Sequence, residues 1–389
     1  MSLPGLHYLY TARMTDVNLE PFDALVLMSF GGPEKNADVL PFLQNVTRGR
    51  GIPDERLVEV GEHYYGFGGK SPINEQNQKL LESLRRELAR RGLETPVLWG
   101  NRNWAPFLTD VARDFVAETG GTKFLAIDTS AYSSYSSCRQ YREDFAQTLD
   151  VLAAEGMPVT FEKIRQYYNH PGFADAELGC VRRAVDAFAQ QVGGLDSRRH
   201  RLLYVTHSIP QSMQAASERW TAGYRGQHEQ LMSWLEAKLG LGLHLDSELV
   251  FCSRSGAPHV PWLEPDINDR LEELKAEGID GVIVVPLGFV SDHMEVKYDL
   301  DTEAAQTAAG LGMDFLRAES VGTDPSFVAG LVDAALERAA QYRGEPVDSP
   351  AVTEEGALAP GSGACSVSCC LGRLPKPEAP SWAVGDEGP

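Results

Sequence analysis

The chain has 389 residues, 43% hydrophobic and 23% charged, which is typical of a folded protein with one large domain or two modest ones. The formal net charge of −20 argues against nucleic acid or anionic lipid as a partner, because both need a basic surface. No run approaches the roughly 18 apolar residues of a membrane span, and the first residues lack the pattern of a signal peptide. We therefore expect a cytoplasmic protein without stable membrane insertion.

Apolar runs bounded by turn residues predict buried strands along most of the chain. They occupy residues 23–30, 96–104, 123–130, 158–164, 201–208, 247–255 and 280–289. Amphipathic helical stretches lie between them, for example residues 74–92 and 266–278. This alternation predicts an α/β fold with mostly parallel sheets, and the strand number suggests two doubly wound units.

Changes in composition suggest where these units begin and end. The strand and turn at residues 22–33 resemble those at residues 200–210, which agrees weakly with two related halves. We predict an N-terminal extension at 1–21, a first domain at 22–131 with 318–342, a second domain at 132–317, a linker at 343–364 and a cysteine-containing tail at 365–389.

Four carboxylates follow the last of the predicted strands. Asp292, Glu295, Asp299 and Glu303 are spaced three, four and four residues apart, so an α-helix would place them within an arc of roughly 80°. Like charges at such spacing repel, and a solvated acidic helix face is the plainest interpretation. Because the run begins at the end of a buried strand, it could instead bind a hard divalent cation or relay protons.

A histidine lies at the end of another predicted strand. His207, in the segment VTHSIP, could be a core histidine, a metal ligand or a general base. His293 has the same ambiguity, and we favour a supporting role because it leaves the arc of acids. Ligands of parallel α/β folds bind beyond the carboxyl ends of strands, where His207 and Glu295 are expected.

Other segments could bind an anionic or aromatic ligand. The glycine-rich turn Gly66–Gly69 precedes a helix, with Ser71 placed as its N-cap, and Arg48 lies upstream; a tight turn and a basic loop explain both equally well. The turn is not a Walker A loop and lacks dinucleotide-binding spacing, so we expect no nucleotide. Tyr141 could face a flat aromatic ligand or cap the sheet, and Trp262 could be a core aromatic.

Taken in order, the segments LVLMSFGGP, GFGGKSPI, VTHSIP, PWLEPD and GFVSDHMEVKYDLDTE resemble the ferrochelatase family over roughly residues 22–340. The resemblance implies an enzyme that inserts Fe²⁺ into a porphyrin held between two Rossmann-like domains. It implies that His207 and Glu295 flank the porphyrin centre, in iron binding and pyrrole deprotonation, and that Asp299 and Glu303 form the outer part of the acidic ridge.

The same resemblance implies porphyrin contacts from Ser71, Tyr64 and Tyr141, and we add Arg48 and Trp262 as candidates. Two further candidate contacts differ from some bacterial relatives. Those relatives have an iron-ligating tyrosine at the position of Phe30 and an arginine at the position of His63. Axial ligation and carboxylate contacts are therefore expected to differ.

The tail has three cysteines in the segment CSVSCC. Some members of the family carry a C-terminal [2Fe–2S] cluster, which implies ligation by Cys365, Cys369 and Cys370 together with Cys180 from the body. Four thiolates also suit zinc, and the adjacent pair departs from better-known spacings. Cys138 and Cys252 are expected to be buried structural thiols.

The resemblance to actinobacterial-type members with such a tail implies coproporphyrin III as the porphyrin. Protoporphyrin IX, or a cobalt or nickel chelatase acting on another tetrapyrrole, is the alternative within the enzyme class. A haem or iron carrier is the non-enzymatic alternative. Enzymes of the haem pathway are possible partners.

Overall fold

A computed structural model describes residues 17–49, 51–239, 245–256, 258–347, 349–353 and 369–370. These residues form two four-stranded parallel sheets. The first contains β1 (Ala24–Ser29), β2 (Val97–Asn101), β3 (Lys123–Asp128) and β4 (Thr160–Lys163), in the order β2-β1-β3-β4. The second contains β5 (His200–His207), β6 (Ser247–Cys252), β7 (Gly281–Val285) and β8 (Asp314–Arg317), in the order β6-β5-β7-β8.

The two sheets have the same topology, because in each the first strand pairs with the second and third, and the fourth follows the third. The predicted α/β fold with two parallel, Rossmann-like units is therefore confirmed. The repeated order also agrees with the weak internal similarity of the sequence.

Helices connect the strands and cover the sheets. They are α1 (Asn36–Val46), α2 (Asp54–Tyr65), α3 (Ile73–Arg90), α4 (Leu108–Thr119), α5 (Gln140–Ala154), α6 (Pro171–Val192), α7 (Gln211–Glu218), α8 (Gly223–Leu239), α9 (Ile267–Ala276), α10 (Ala305–Gly310) and α11 (Pro325–Tyr342). Two segments, Tyr135–Arg139 and Val296–Ala304, are π-helical.

Side chains of each strand alternate between two hydrophobic clusters, as expected for a sheet buried on both faces. In β5, Leu202 and Tyr204 enter a large cluster that the two sheets share, whereas Leu203 and Val205 enter a separate one. The shared cluster also contains residues of α6 and α11, so these helices join the two halves. No helix in the described part of the chain is long and apolar enough to cross a membrane.

The predicted boundary between the two domains needs correction. The boundary after residue 131 assigned β4 to the second domain, but β4 pairs with β3 in the first sheet, so the first domain extends beyond it. Strand β8 was not predicted, because its four residues DFLR form no apolar run. Part of the predicted linker contacts the rest of the chain, since Val352 N donates a hydrogen bond to Asn169 O at 2.8 Å.

Candidate active site

His207 is the last residue of β5, and the chain after β7 turns back over the end of that strand. At Gly288 a Cβ atom would lie 2.0 Å from Thr206 Oγ1, so only glycine permits this approach. Gly288 N donates to Val205 O at 3.1 Å, which fixes the crossing. The loop that follows therefore lies over His207 and carries Glu295 towards it.

The two side chains meet directly, with His207 Nε2 3.3 Å from Glu295 Oε1. The other ring nitrogen, Nδ1, lies against the carbonyl oxygen of Ser208. Because both neighbours of the ring are acceptors, the arrangement suits an imidazolium that donates from both nitrogens. The His207 and Glu295 side chains keep 31% and 43% of their surface exposed, so the pair remains accessible from the cleft.

The electrostatic environment favours an ion pair at rest. Burial lowers the pKa of His207, but the charge of Glu295 and the hydrogen bond to it outweigh burial and raise the pKa to about 9. Burial raises the pKa of Glu295, but the charge and hydrogen bond of His207 lower it to about 2. At neutral pH the proton therefore resides on His207.

His293 supports this pair, as the sequence suggested. Its Nδ1 accepts a hydrogen bond from the backbone N–H of Glu295 at 3.2 Å, and its ring packs edge-on against Phe289 at 5.0 Å. Burial lowers the pKa of His293, so the ring is a neutral acceptor that orients the start of the acidic helix.

The acidic ridge differs from the predicted one in two ways. Residues Val296–Ala304 form a π-helix rather than an α-helix, and its wider turn brings positions four apart more nearly into line. Glu295, Asp299 and Glu303 therefore form the ridge. Asp292 does not belong to it, because Arg317 binds both its oxygens at 3.0 Å and Ser320 Oγ donates to it at 2.6 Å.

Asp299 is the middle carboxylate of the ridge. The hydroxyl of Ser253, which directly follows β6, donates to Asp299 Oδ2. Burial and then the charge of Glu295 raise the pKa of Asp299 to about 7, although the hydrogen bond from Ser253 opposes the shift. Asp299 can therefore exchange a proton near neutral pH.

The first domain forms the opposite wall of the cleft. Burial raises the pKa of Tyr64, and so do the charges of Glu295 and Asp299, so its phenol lies within electrostatic range of those acids. Phe30 is 38% exposed and packs against Phe42 with ring centroids 6.2 Å apart. Phe30 and Tyr64 both pack against Phe42, so they form one aromatic surface on the first domain.

At the outer end of the cleft, His63 of α2 stacks on Tyr298 of the π-helix, with ring centroids 3.8 Å apart. Trp262 is 9% exposed, and its backbone forms a bridge with Pro210, three residues after His207. Arg48 is exposed after α1, where it donates to Asn45.

Two candidate porphyrin contacts lie below the surface. Ser71 is 3% exposed beneath Gly32, and it is not the N-cap of α3, which begins at Ile73 after Pro72. Tyr141 is 4% exposed under the guanidinium of Arg102, which lies 4.9 Å from the ring centre.

The described cysteines are buried. Cys369 and Cys370 have Sγ atoms 3.6 Å apart and pack against Trp220, whereas Cys365 lies outside the described residues. Cys180 accepts a hydrogen bond from Arg183 at 3.3 Å, and burial and the charge of Glu177 raise its pKa to about 12. Across the described residues, no three His, Cys, Asp or Glu side chains form a ready group for a metal ion.

The adjacent pair nevertheless suits a shared metal centre. Two thiolates bound at about 2.3 Å to one tetrahedral metal are roughly 3.8 Å apart, close to the observed separation. The separation of the pair therefore fits two ligands of a four-thiolate site. The thiol of Cys180 is protonated, and it would have to lose its proton before it could bind a metal.

Sequence reasoning missed Ser253 and Tyr298. Ser253 lies at the carboxyl end of a predicted strand, where functional side chains gather, so its position was a usable signal. Tyr298 carries no such signal, because its partner His63 is 235 positions away and only the folded chain brings them together.

Two facing α/β units with a histidine–carboxylate pair and an acidic helix between them are the features of a chelatase-type protein. The family model for ferrochelatase matches residues 22–339. The chain belongs to the ferrochelatase family.

Related proteins match nearly the whole chain. It is 50% identical over 367 residues to the coproporphyrin III ferrochelatase of Streptomyces griseus subsp. griseus, covering 92% of this chain and 96% of that protein. It is 48% identical over 376 residues to the coproporphyrin III ferrochelatase of Streptomyces coelicolor, covering 94% and 98%. The ferrochelatase of Rhodopirellula baltica is 42% identical over 354 residues, covering 91% and 94%.

Among solved structures, SirB from Bacillus subtilis with Fe³⁺ has a TM-score of 0.48 and 11% sequence identity, covering 82% of this chain and 97% of that one.

Proposed function

We propose that this protein inserts Fe²⁺ into coproporphyrin III, releasing the two pyrrole protons of the free porphyrin. The contact between His207 and Glu295 carries the proposal, because it brings an imidazole and a carboxylate together while both side chains stay partly exposed. Membership of the ferrochelatase family supports the reaction. Relatives named coproporphyrin III ferrochelatases, at 50% and 48% identity, support the substrate.

The resting ion pair must lose a proton before it can act. With Nε2 protonated and bound to Glu295, His207 can neither ligate a metal nor accept a pyrrole proton. A cation approaching Glu295 competes for its carboxylate, which lowers the pKa of His207 and frees the Nε2 lone pair. His207 and Glu295 can then together bind the metal and accept a pyrrole proton.

The ridge offers an exit for protons and an entrance for the metal. Asp299, with a pKa of about 7, can accept a proton at one moment and release it at the next. Glu303 is exposed at the outer end of the ridge, where a hydrated cation would first be attracted. The repulsion within the ridge is thus relieved when a cation or proton occupies it.

The aromatic wall of the first domain would hold one face of the macrocycle. Tyr64 and Phe30 supply the ring surface of this wall. Phe30 has no oxygen, so it cannot ligate the iron of the product. Coproporphyrin carries four propionates, for which Arg48 at the rim is a candidate partner.

The decisive experiment compares coproporphyrin III, protoporphyrin IX and sirohydrochlorin as substrates under anaerobic conditions, each with Fe²⁺ and Co²⁺. We expect the highest kcat/KM with coproporphyrin III and Fe²⁺. Preference for another tetrapyrrole or metal would contradict the proposed substrate.

The variant His207→Ala tests the role of the histidine in this reaction. General-base catalysis contributes about 10²–10⁴-fold, so we expect turnover to fall at least 10²-fold while fluorescence titration still detects porphyrin binding. Near-normal turnover would remove His207 from the reaction. Binding without turnover by the wild-type protein would favour a carrier instead.

We also propose a [2Fe–2S] cluster bound by Cys180, Cys365, Cys369 and Cys370. The 3.6 Å separation of the two neighbouring thiols supports it, and Cys180 would have to exchange its proton for iron. A cluster would supply one-electron chemistry, which metal insertion does not require, so we assign it a structural or regulatory role.

Anaerobic purification followed by iron and sulfide analysis tests this assignment. We expect about two irons and two sulfides per chain, and loss of both in Cys369→Ala. Zinc in place of iron and sulfide, or metal-free protein, would contradict the cluster. A cytoplasmic location and partner enzymes of the haem pathway stay predictions from the sequence.

A further inference from the structure

Ser253 has a backbone conformation that its residue type disfavours. It directly follows β6 with φ +61°, and Cys370 is the other non-glycine residue with positive φ in the described ranges. Left-handed backbone strains an L-residue with a side chain, and glycine relieves that strain. Strain of this kind persists where the surrounding structure imposes it, often at functional sites. The serine side chain must therefore contribute something that glycine would not.

Its contribution is a hydrogen bond to the acidic ridge. The hydroxyl lies against Asp299 Oδ2 and 3.3 Å from Cys252 Sγ. A serine hydroxyl has one proton, and a carboxylate is a stronger acceptor than a thiol, so the proton goes to Asp299.

The backbone that carries Ser253 is fixed relative to His207. Cys252 pairs in register with His207 between β6 and β5, and Ser208 N donates to Cys252 O at 2.8 Å. Ser253 follows immediately, so its hydroxyl has a set position with respect to the His207 ring. The carboxylate that it holds acquires the same fixed position.

Without this contact the middle of the ridge would be poorly defined. Glu295 and Glu303 flank Asp299 one π-helical turn away on either side, and both repel it. Aspartate can reduce that repulsion by turning its carboxylate away from the ridge. We propose that Ser253 is a positioning residue that holds Asp299 in line between Glu303 and the His207–Glu295 pair, so that Fe²⁺ is passed inward.

This inference rests on the proposed metal insertion, and the experiment separates the two. The informative variant is Ser253→Gly, which removes the hydroxyl and relieves the backbone. If Ser253 served only the turn, Ser253→Gly would leave activity unchanged. If it positions Asp299, the melting temperature stays or rises while the KM for Fe²⁺ increases about 10-fold, the size typical for partners of metal-ligating groups. The KM for porphyrin should change less than 2-fold.

Two further variants complete the test. Ser253→Asn tolerates left-handed backbone and offers an amide N–H to Asp299, so it should recover most of the lost Fe²⁺ affinity. Ser320→Ala is the matched control, because it removes a hydroxyl–carboxylate bond of 2.6 Å to Asp292, outside the ridge. It should leave both KM values unchanged.

A double-mutant cycle decides between positioning and a general effect. In an Asp299→Asn background, Ser253→Gly should add less than 2-fold to the KM for Fe²⁺. A wild-type KM for Fe²⁺ in folded Ser253→Gly, or a full additional loss in the Asp299→Asn background, would overturn the positioning role. An inactive wild-type protein would instead overturn the proposed function.

Discussion

The imidazole ring of His63 lies flat on the phenol ring of Tyr298, with an interplanar angle of 10°. His63 belongs to α2 of the first domain, and Tyr298 belongs to the π-helix of the second. Burial raises the pKa of Tyr298, and so does the charge of Glu303, which ends the ridge. The two domains therefore touch at the outer mouth of the cleft, next to the carboxylate that first meets solvent.

We expect this stack to stabilise contact between the domains. Aromatic pairs contribute about 0.5–1.5 kcal/mol beyond burial, so a double-mutant cycle of His63→Ala and Tyr298→Ala should show coupling of that size in the free energy of unfolding. Tyr298→Phe keeps the ring and should preserve the coupling. Strict additivity of the two alanine variants would show that the stack contributes nothing.

The ion pair of His207 and Glu295 predicts a pH-dependent stability. The pKa of His207 rises from 6.5 to about 9 on folding, so its contribution is complete below pH 6.5 and is lost as the pH rises through 9. The pKa of Glu295 falls from 4.5 to about 2, so its contribution is present above pH 4.5 and is lost as the pH falls through 2. The pair stabilises the fold fully between about pH 4.5 and 6.5.

Glu295→Gln removes the charge that raises the pKa of His207. The denaturation midpoint of the wild type should therefore fall more steeply than that of the variant between pH 6.5 and 9.5. Other titrating groups act in both proteins, so the difference between the two curves isolates the pair. Parallel curves over this range would contradict the ion pair.

Most of the fold could be predicted because its strands are continuous apolar runs, such as Ala24–Ser29 and Gly281–Val285. The missed strand Asp314–Arg317 is short and partly exposed, so it has no hydrophobic signature. The sheet to which Thr160–Lys163 belongs depends on pairing with β3 across 31 intervening residues, and pairing partners are not encoded in periodicity.

The proximity of His207 and Glu295 could be predicted because both follow the carboxyl ends of strands, whereas their catalytic role stays a prediction. The π-helix could not be predicted, because spacings of three and four fit an α-helix equally well. The spacing of Asp292 indicated a ridge residue, but its carboxylate is bound by Arg317, which lies 25 positions later in the chain. Tyr141 likewise lies under Arg102, a contact that the local sequence does not reveal.

Asp299 predicts a conflict between stability and activity. Its pKa rises from 3.8 to about 7 on folding, so its favourable contribution exists below pH 3.8 and is lost as the pH rises through 7. Asp299→Asn removes the repulsion, so its melting temperature should exceed that of the wild type more at pH 8 than at pH 5.5. Its kcat/KM for Fe²⁺ should fall about 10-fold or more.

Asp301 provides the matched control on the same π-helix. It is paired with Lys297 at 2.9 Å and Arg317 at 2.7 Å, so Asp301→Asn should lower the melting temperature at both pH values. Equal gains from both variants would indicate a general effect of removing negative charge, and would contradict the repulsion assigned to Asp299.

A buried ion pair holds the segment after α11 against the first domain. Arg165 Nε lies 3.0 Å from Glu337 Oε1, and their side chains are 10% and 5% exposed. Arg165 also donates to Pro350 O at 2.6 Å, and Ser349 Oγ donates to Glu337 at 2.8 Å. The chain leading to the cysteine tail is therefore docked by the same two side chains that support the core.

Removing one member of this pair leaves the other charge buried. We expect Arg165→Leu to lower the free energy of unfolding by about 3–5 kcal/mol, because the carboxylate of Glu337 then lacks its partner. Arg165→Leu with Glu337→Leu should recover much of that loss. Ser349→Ala removes the docking bond to Glu337 and a longer one from Gln341, and it should cost about 0.5–1.5 kcal/mol. Limited proteolysis should cut residues 349–353 sooner in both Arg165 variants, and unchanged cleavage would show that the pair does not hold this segment.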